Sequence, residues 1–383
     1  MRILCLDQFA QLGGGQLCLL DLIPAFLENG WEVQAAAPGE GEYQARLRAL
    51  DCKVAPLDLA PLSNGRKTFT DQFSYLASVL RMTGQLQRLL RAWRPNLLYA
   101  NGPRVLPAAA RVSRQEGIPV IFHAHHRIGE GSALRLVQSS LNAAGASVIA
   151  CCTYVASSLS TRVARSRIQV IYNGVRDQRE LPVRITAPIQ NVGIIGRIDP
   201  EKGQLDFVRA ARRVVSRFPQ VRFHVVGSRQ FSAEDYSDQV LKESEGLPVR
   251  FHGWRHDIST VLRSLDLVVV SSPQSEATPR VILEALSAGV PGLAYALGGI
   301  PELIDDNWTG FLSAPTPEAL ASRLAEVLET DLEAIDVITQ RARSTWQERF
   351  HIDHWRALVC DCLTGAVRVS RSEFVTDQPQ LTA

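Results

Sequence analysis

A loop between a predicted strand and a predicted helix, GRIDPEKG at 196–203, carries a basic residue near each end. Arg197 offers a planar, permanently charged guanidinium, and Lys202 offers a compact ammonium on a flexible stem. Together with the amino end of the following helix, these two cations would hold a diphosphate. The alternative is a solvated turn in which Arg197 pairs with Asp199 or Glu201.

Two carboxylates eight positions apart follow in the segment SSPQSEATPRVILEALSAGVP, residues 271–291. Glu276 lies just before a predicted helix, and Glu284 lies within it. Both accept hydrogen bonds from hydroxyl groups, which suits Glu276 to a sugar and Glu284 to a ribose. The alternative for Glu284 is an ion pair with an arginine on a solvated face. Its neighbours look buried, however, and a carboxylate among them needs a partner.

The start of the same helix is a second candidate binding feature. Thr278 followed by Pro279 is typical of an N-cap residue and a proline in the first helical position. Because proline has no N–H, the donors at the helix start belong to Arg280, Val281 and their neighbours. Such donors suit a phosphate or sugar oxygen.

Three glycines at 13–15 follow the first predicted strand and precede a helix. Glycine there lets the backbone approach an anion or a sugar closely. The spacing fails the dinucleotide-binding fingerprint, because Cys18 occupies the third glycine position. The alternative for Gly14 and Gly15 is a tight turn between strand and helix.

Three histidines, His123, His125 and His126, lie at the end of another strand in the first half of the chain. Alternation along a strand places His123 and His125 on one face, but without a carboxylate or cysteine cluster a metal site is disfavoured. We expect one histidine to donate a hydrogen bond to a ligand and the others to be packed or exposed. Asn173, followed by Gly174, is a turn signal first and a ligand contact second.

The elements that must position these side chains alternate along the chain. Short runs that are apolar on both faces alternate with amphipathic segments, which is typical of parallel, doubly wound α/β sheets. Ligands of such folds bind outside the carboxyl ends of the strands. The predicted strands are 2–6, 33–37, 53–57, 97–100, 119–123, 147–151, 169–172, 191–196, 221–227, 249–253, 266–272 and 291–296, and the predicted helices are 16–30, 40–50, 72–93, 105–116, 132–144, 204–218, 234–246, 258–264, 280–288 and 317–329.

The pattern occurs twice, with a polar, proline-containing linker at 177–190 between the copies. For a chain of 383 residues we therefore predict two domains, 1–180 and 181–340, which face each other across a cleft. The polar tail at 367–383 is predicted to be disordered.

Composition excludes several function classes. A formal net charge of +2 is too balanced for a dedicated nucleic-acid binder, and the apolar runs are too short to cross a bilayer. Seven cysteines without Cys-x-x-Cys spacing disfavour a zinc ribbon and a disulfide scaffold. The first ten residues do not resemble a signal peptide. We expect a soluble protein of a reducing compartment, the cytoplasm.

The segment 271–302 resembles the signature of the retaining GT-B glycosyltransferases of family 4, with its Glu-x7-Glu pair. The resemblance implies a GT-B fold of two Rossmann-like domains, with a C-terminal helix at 341–366 that crosses back to the first. It extends over most of the chain through the glycine loop, GIPVIFHAH (117–125), VIYNGV (170–175), GRIDPEKG, FHGWRHDI (251–258) and GG-x-PE (298–302).

By this resemblance, the second domain binds most of a nucleotide-diphosphate sugar. Arg197 and Lys202 match the positions that hold the diphosphate. Glu284 matches the carboxylate that binds the ribose hydroxyls, and Glu276 the one that contacts the transferred sugar. His125 aligns best with a histidine near that sugar, with His123 as second choice. The other implied donor-binding residues are Gly14, Gly15, Asn173, Gly196, Thr278, Arg280 and Val281.

The sequence departs from the resembled family at two places. The glycine loop continues as Gln16-Leu17, where many relatives carry a Glu-Arg pair, which affects the expected acceptor contacts. Residues 277–279, Ala-Thr-Pro, replace bulkier residues and would widen the sugar pocket.

The implied activity is retaining transfer of a hexose, with no metal and no cofactor, by front-face attack. Arg197, Lys202 and the helix-end amides would stabilise the charge of the leaving diphosphate. Family frequency favours a UDP-sugar, with a guanosine donor second, and a polysaccharide or glycolipid precursor as acceptor. The rivals are a nucleotide-sugar epimerase or phosphorylase of the same architecture, or a non-catalytic subunit that binds a nucleotide-sugar.

Basic residues are concentrated in the first half of the chain. Residues 1–180 hold 20 Arg or Lys against 13 Asp or Glu, a formal charge of +7. One hypothesis is peripheral contact with an anionic inner membrane surface, and the alternative is a solvated helix face. The candidate contacts are Arg81, Arg88, Arg91, Arg94, Arg111 and Arg114.

Overall fold

The chain forms two compact units, which are described separately below. A computed structural model describes residues 1–60, 69–178, 187–229 and 234–376. The first unit contains Met1–Ile171 and Trp355–Ala383, and the second contains Tyr172–His354. The first unit thus ends at Ile171, whereas the sequence predicted a boundary at 180. Residues 179–186 of the predicted linker lie outside the described residues.

The first unit is built on a seven-stranded parallel sheet. Its strands are β1 (Arg2–Leu6), β2 (Glu32–Ala37), β3 (Lys53–Pro56), β4 (Leu97–Ala100), β5 (Val120–Ala124), β6 (Ser147–Ala150) and β7 (Ile168–Val170). Its first six helices are α1 (Gly14–Glu28), α2 (Glu42–Ala49), α3 (Phe69–Trp93), α4 (Leu106–Glu116), α5 (Ser132–Ala143) and α6 (Thr153–Leu159).

The strand order in this sheet reverses direction between β1 and β4. The order is β3-β2-β1-β4-β5-β6-β7. Strands β2 and β3 therefore lie on one side of β1, and strands β4 to β7 lie on the other. Leu6 at the end of β1 lies opposite Ala100 at the end of β4. The residues that follow these two ends, Asp7 and Asn101, are therefore neighbours at a topological switch point, where doubly wound folds bind ligands.

The second unit repeats the plan with six parallel strands. They are β8 (Asn191–Ile195), β9 (Arg222–Val226), β10 (Val249–Phe251), β11 (Leu267–Val270), β12 (Gly292–Tyr295) and β13 (Phe311–Ser313). The helices are α7 (Gln204–Val214), α8 (Glu234–Glu243), α9 (Ile258–Arg263), α10 (Arg280–Ala288), α11 (Pro317–Glu329) and α12 (Leu332–Thr345).

The centre of this sheet is covered on both faces, which explains why a central strand such as β11 is apolar throughout. In β11, Leu267 and Val269 join the hydrophobic cluster on one face, and Val268 and Val270 join the cluster on the other. The strand order is β10-β9-β8-β11-β12-β13, so the switch point lies between β8 and β11. The predicted fold class, parallel doubly wound α/β sheets, is confirmed in both units.

The C-terminal region differs from the single helix predicted at 341–366. After α12 comes a π-helical turn, Trp346–Phe350, and then α13 (Ile352–Thr376). The break at His351 has extended backbone angles, φ −67° and ψ 138°. Within the first unit, Arg356 Nε of α13 donates to the backbone oxygen of Asp21 in α1 at 2.7 Å.

The tail predicted to be disordered is helical over its first part. The helix α13 reaches Thr376, so residues 367–376 continue the helix that precedes them. Residues 377–383 lie outside the described residues. Of the helices described, none is both long enough and apolar enough to cross a membrane.

Candidate active site

In the second unit, Gly203 and Gly227 allow the loop after β8 to pack closely against neighbouring loops. A Cβ on Gly203 would lie 1.8 Å from the backbone oxygen of Ser271, and φ there is +74°. Ser271 Oγ in turn donates to the backbone oxygen of Gly203 at 2.9 Å. A Cβ on Gly227 would lie 1.9 Å from the backbone oxygen of Gly196. Only glycine allows such close approach. Gly203 brings the loop after β8 against the loop after β11, and Gly227 brings the loop after β9 against the loop after β8.

The loop at 196–203 is held in shape from inside by Gln204. This side chain is fully buried, and its Nε2 donates to the backbone oxygen of Arg197 at 2.6 Å. Its Oε1 accepts from the backbone N–H of Asp199 at 3.3 Å. Asp199 Oδ1 accepts from the backbone N–H of Glu201 at 2.9 Å. The backbone that carries the two predicted cations is thus fixed before any ligand binds.

Lys202 and Glu276 form an ion pair across the switch point. Lys202 Nζ lies 2.9 Å from Glu276 Oε1, and the hydroxyl of Ser272 donates to the same oxygen. The side chains are 30% and 18% exposed, respectively. Lys202 follows β8 and Glu276 follows β11, so the structure brings together two site residues that the sequence predicted from separate motifs.

Arg197 lies further toward solvent. Its NH2 atom is 3.7 Å from Glu201 Oε2, and the side chains are 37% and 60% exposed. This is one of the two pairings expected of a solvated turn. Exposed pairs at such distances stabilise a conformation only weakly, so the contact leaves the guanidinium available to a stronger anion.

Two glycines after β12 support the backbone of Glu276. The N–H of Gly299 donates to the backbone oxygen of Glu276 at 2.8 Å. Gly298 has φ +63°, and a Cβ there would lie 2.1 Å from the same oxygen. The Gly-Gly pair at 298–299 therefore positions Glu276 through its main chain.

Thr278 does not cap the helix, contrary to the prediction. The helix α10 begins at Arg280, and Pro279 is its N-cap with ψ 115°. A residue before proline is also disfavoured from helical angles. Instead Thr278 Oγ1 accepts from Asn173 Nδ2 at 2.8 Å. Both side chains are buried. Asn173, which the sequence marked first as a turn residue, is therefore hydrogen-bonded to the segment that leads into α10.

Glu284 is paired within its own helix. Arg280 Nε donates to Glu284 Oε1 at 2.8 Å, and the side chains are 24% and 13% exposed. The arginine partner foreseen for Glu284 is therefore present, but the pair is mostly buried rather than on a solvated face. The side chain of Val281 packs against the hydrophobic cluster beneath α10. Its backbone N–H lies in the first turn of the helix, where the N–H groups have no acceptor within the helix.

In the first unit, sequence analysis missed Asp7, a buried carboxylate directly after β1. It is 1% exposed. Its Oδ1 accepts from the backbone N–H groups of Gln8 and Phe9 at 2.7 and 3.0 Å and from Gln16 Nε2 at 2.8 Å. Its Oδ2 accepts from Tyr43 Oη at 3.2 Å. Burial raises the pKa of Asp7, and hydrogen bonds from Asn101, Phe9, Gln16 and Gln8 oppose that rise.

A second missed residue, Asn101 after β4, links Asp7 to His125. Asn101 Nδ2 donates to Asp7 Oδ2 at 2.6 Å and to the backbone oxygen of Gly15 at 3.1 Å. Asn101 Oδ1 lies 2.7 Å from His125 Nε2. The rule that ligand-binding residues follow strands applies to both Asp7 and Asn101, since each is the first residue after its strand, but by itself it does not single them out.

The glycine loop forms the start of α1 beneath this histidine. Gly13 is the N-cap, and Gly14 and Gly15 begin the helix. A Cβ on Gly15 would lie 3.1 Å from His125 Cδ2, so the absence of a side chain makes room for the imidazole. Burial lowers the pKa of His125 well below its usual range, and the neighbouring His123 and His126 lower it further.

His123, the second choice for the sugar contact, is a core residue. It is 0% exposed, its Nδ1 is hydrogen-bonded to Tyr99 Oη, and burial lowers its pKa to about 3. Its ring and that of His125 lie 4.0 Å apart between centroids, on one face of the strand. Within the described ranges, no group of three or more His, Cys, Asp or Glu side chains is arranged to hold a metal ion.

Two family models match the chain, one in each unit. Residues 13–174 match the glycosyl transferase 4-like domain. Residues 189–330 match the glycosyl transferases group 1. The second match contains the loop after β8 and the whole of α10, and the first contains the glycine loop, Asn101 and His125.

Individual proteins with related sequences and structures agree with these models. The Vi polysaccharide biosynthesis protein VipC/TviE of Salmonella typhi is 28% identical over 211 residues, which cover 50% of this chain and 36% of that protein. A D-inositol 3-phosphate glycosyltransferase of Corynebacterium efficiens is 28% identical over 164 residues, 41% of this chain and 38% of that protein. The chain therefore matches less than half the length of these relatives. Anabaena Alr3699/HepE, whose crystal structure is in complex with UDP-glucose, is 25% identical with a TM-score of 0.80, covering 95% of this chain and 100% of that one.

Proposed function

This chain belongs to the GT-B glycosyltransferases, and on that premise we propose that it transfers a hexose from a nucleoside-diphosphate donor with retention of anomeric configuration. The observation that carries the proposal is the Lys202–Glu276 pair, 2.9 Å apart at the switch point between β8 and β11. It sets a cation and a hydroxyl acceptor side by side, which is the chemistry that a sugar diphosphate needs.

The diphosphate is held in the second unit by Arg197, Lys202 and the N–H donors that begin α10. The loop geometry supports this assignment, because Gly203 and Gln204 fix the backbone of both cations. A phosphate oxygen competes for Lys202 with Glu276 and for Arg197 with the weak contact to Glu201. The base is uracil, which the UDP-glucose complex of the related Anabaena protein favours.

The two glutamates divide the sugar and the nucleoside between them. Glu276, held at Oε1 by Lys202 and Ser272, accepts a hydroxyl of the transferred hexose at Oε2. Glu284 accepts the ribose hydroxyls, with Arg280 fixing its other oxygen. His125 contacts the transferred hexose, and Asn173 orders the approach to α10 through Thr278.

The reaction is a front-face displacement that needs no protein nucleophile. The bond from the anomeric carbon to the phosphate oxygen breaks, and the acceptor oxygen forms its bond on the same face. The proton of the acceptor hydroxyl passes to the departing phosphate. Lys202 and Arg197 stabilise the charge that develops on that phosphate, and they are oriented for this before reaction.

The acceptor is a saccharide or a lipid-linked precursor, and α3 provides a surface for the lipid. Phe73, Leu76 and Leu80 are 76%, 56% and 62% exposed, and their spacing puts them on one helix face. Arg88 and Arg91 lie on the same face closer to the end of the helix. Each cation near an anionic membrane surface contributes about 1 kcal/mol to binding. Arg81, proposed from the sequence, instead pairs with Asp58 at 2.6 Å.

Donor binding and turnover of the full chain are the test. Thermal shifts with UDP-glucose, UDP, GDP-mannose and UMP identify the donor, and labelled UDP-glucose is then incubated with and without a panel of saccharides. Transfer of label with an unchanged anomeric configuration by NMR supports the proposal. A labelled epimer without acceptor would establish an epimerase instead. Tight donor binding with neither hydrolysis nor transfer would establish a binding subunit.

A further inference from the structure

A chain of buried polar groups runs along the switch point of the first unit. Asp7, Asn101 and His125 follow β1, β4 and β5, three adjacent strands of the sheet. They are joined by hydrogen bonds of 2.6 Å from Asn101 Nδ2 to Asp7 Oδ2 and 2.7 Å between Asn101 Oδ1 and His125 Nε2. Asp7 and Asn101 are 1% and 2% exposed, whereas His125 is partly exposed, so His125 is the one of the three whose side chain reaches the surface. The proposed function assigns Asp7 and Asn101 no role.

The orientation of the Asn101 amide follows from the atoms around it. Its Nδ2 lies 3.1 Å from the backbone oxygen of Gly15, and a carbonyl oxygen can only accept a hydrogen bond. The NH2 group must therefore face Gly15 and Asp7, which leaves the amide oxygen toward the imidazole. Since that oxygen only accepts, His125 Nε2 must carry the proton.

The remaining nitrogen of His125 is then fixed as well. A neutral imidazole has one N–H, and burial keeps the pKa of His125 well below its usual range. Nδ1 is thus a bare acceptor, and within the described part of the chain it is buried with no hydrogen-bond partner. Buried polar atoms without a partner are uncommon, and such an atom marks a place for a donor from water or ligand.

We propose that Asn101, anchored by Asp7, is a positioning residue that holds His125 as the Nε2–H tautomer, so that His125 meets a sugar hydroxyl as an acceptor at Nδ1. The sequence suggested that a histidine would act as a donor, and the Asn101 contact reverses that role. Asp7 acts through Asn101, because its carboxylate accepts a hydrogen bond from the Asn101 NH2 group and so keeps that group directed away from the imidazole. This assignment rests on the proposed function for the identity of the ligand but not for the tautomer.

The tautomer is measured directly by long-range 1H–15N NMR of the full chain labelled at histidine. His125→Gln assigns the signal by subtraction, and the signal is followed in UDP-glucose and without it. We expect Nε2 to have the shift of a protonated nitrogen and Nδ1 that of a bare one at neutral pH. An Nδ1–H tautomer, or an imidazolium, in the unaltered protein overturns the proposal whether or not any sugar is transferred.

A double-mutant cycle tests whether Asn101 acts through His125. Asn101→Ala should reduce kcat/KM by about 10- to 100-fold, by analogy with the partners that orient metal-binding histidines, and should leave UDP affinity unchanged. In the His125→Ala background the same change should cost less than about twofold, because there is no longer an imidazole to orient. Full additivity overturns the proposal.

A matched control comes from the other end of the same strand. Asn96 precedes β4, and its Oδ1 accepts from the backbone N–H of Arg2 at 2.8 Å. Asn96→Ala removes an asparagine hydrogen bond in the same unit and should leave kcat/KM and the tautomer unchanged. If Asn101→Ala fails to fold, Asp7→Asn is measured instead. In that variant we expect a mixture of the two His125 tautomers, and an unaltered Nε2–H signal would contradict the proposal. An unaltered protein that shows the expected tautomer but no transfer contradicts the proposed function alone.

Discussion

Lys202 Nζ lies 2.9 Å from Glu276 Oε1, although the two residues are 74 positions apart. The contact joins the loop after β8 to the loop after β11, the two strands between which the sheet changes direction. It pairs a cation with a carboxylate in the candidate site. In the proposed function, this one ammonium would also contact the departing phosphate and so lie between Glu276 and the leaving group.

Removing either cation should slow transfer. We expect Lys202→Ala and Arg197→Ala each to lower kcat by roughly 10²–10³, as for loss of one charge-stabilising donor, and Lys202→Arg to retain part of the rate. Initial rates of UDP release with an identified acceptor measure this. Lys242→Ala, at the exposed end of α8, is the control. Parent rates in both alanine variants would refute the diphosphate assignment.

Glu284 should determine whether the protein distinguishes ribose from deoxyribose. Loss of one hydroxyl that bonds to a charged partner weakens binding by about 1.5–3 kcal/mol, so the parent should prefer UDP to 2′-deoxy-UDP by more than tenfold. In Glu284→Gln that preference should shrink to a few-fold. Calorimetric titration with both nucleotides gives the ratio. An unchanged preference in the variant would place the ribose elsewhere.

Gly203 should tolerate no side chain. In Gly203→Ala the new Cβ would meet the backbone oxygen of Ser271 at 1.8 Å with φ at +74°. Gly246→Ala is the matched control, since φ there is +75° and nothing lies within 4 Å. We expect about 1 kcal/mol of lost stability for the control, the cost of left-handed backbone, and at least about 3 kcal/mol for Gly203→Ala. Urea unfolding measures both, and equal losses would contradict the close packing.

His123 should make the first unit less stable in acid. Its pKa in the folded chain is about 3, below the ordinary value of about 6.5, so the unfolded chain takes up the proton first. The contribution is fully present above pH 6.5 and falls as pH drops toward 3. Between pH 7 and 5 it amounts to about 2 kcal/mol.

Two substitutions separate this titration from the lost hydrogen bond. His123→Phe should reduce the loss in stability between pH 7 and 5 by about 2 kcal/mol. Tyr99→Phe removes the same hydrogen bond but keeps the imidazole, so its pH dependence should match the parent. Urea unfolding at both pH values provides the comparison. A His123→Phe variant with the parent's pH dependence would show that His123 does not titrate in this way.

The exposed face of α3 should control vesicle binding. Leu76→Ser and Leu80→Ser should each weaken binding to phosphatidylglycerol-containing vesicles roughly tenfold, since burying a leucine contributes about 1.5–3 kcal/mol. Leu241→Ser, at a leucine of the second unit that is 47% exposed, should have no effect. Co-sedimentation measures the bound fraction, with phosphatidylcholine vesicles for comparison. Binding that does not rise with anionic lipid would exclude the membrane contact.

The sequence by itself determined the architecture and selected most residues of the candidate site. Runs such as 267–270 are apolar on both faces because both faces of the sheet are covered, and their alternation with helices leaves few other folds. The rule that ligand-binding residues follow the strands is enough to select Lys202, Glu276 and His125 as candidates. It applies equally to Asp7 and Asn101, but a single Asp or Asn after a strand does not stand out among many polar residues.

Only the tertiary structure decided which groups meet. Sequence spacing could not pair Lys202 with Glu276, assign Thr278 to Asn173, or place His123 in the core and His125 beside Asn101. Local periodicity reports which face of an element is buried, because that depends on neighbours a few residues away. Strand order and register depend on the packing of the whole sheet, and they bring together residues far apart in the chain, so the partners of each polar group follow from the fold alone.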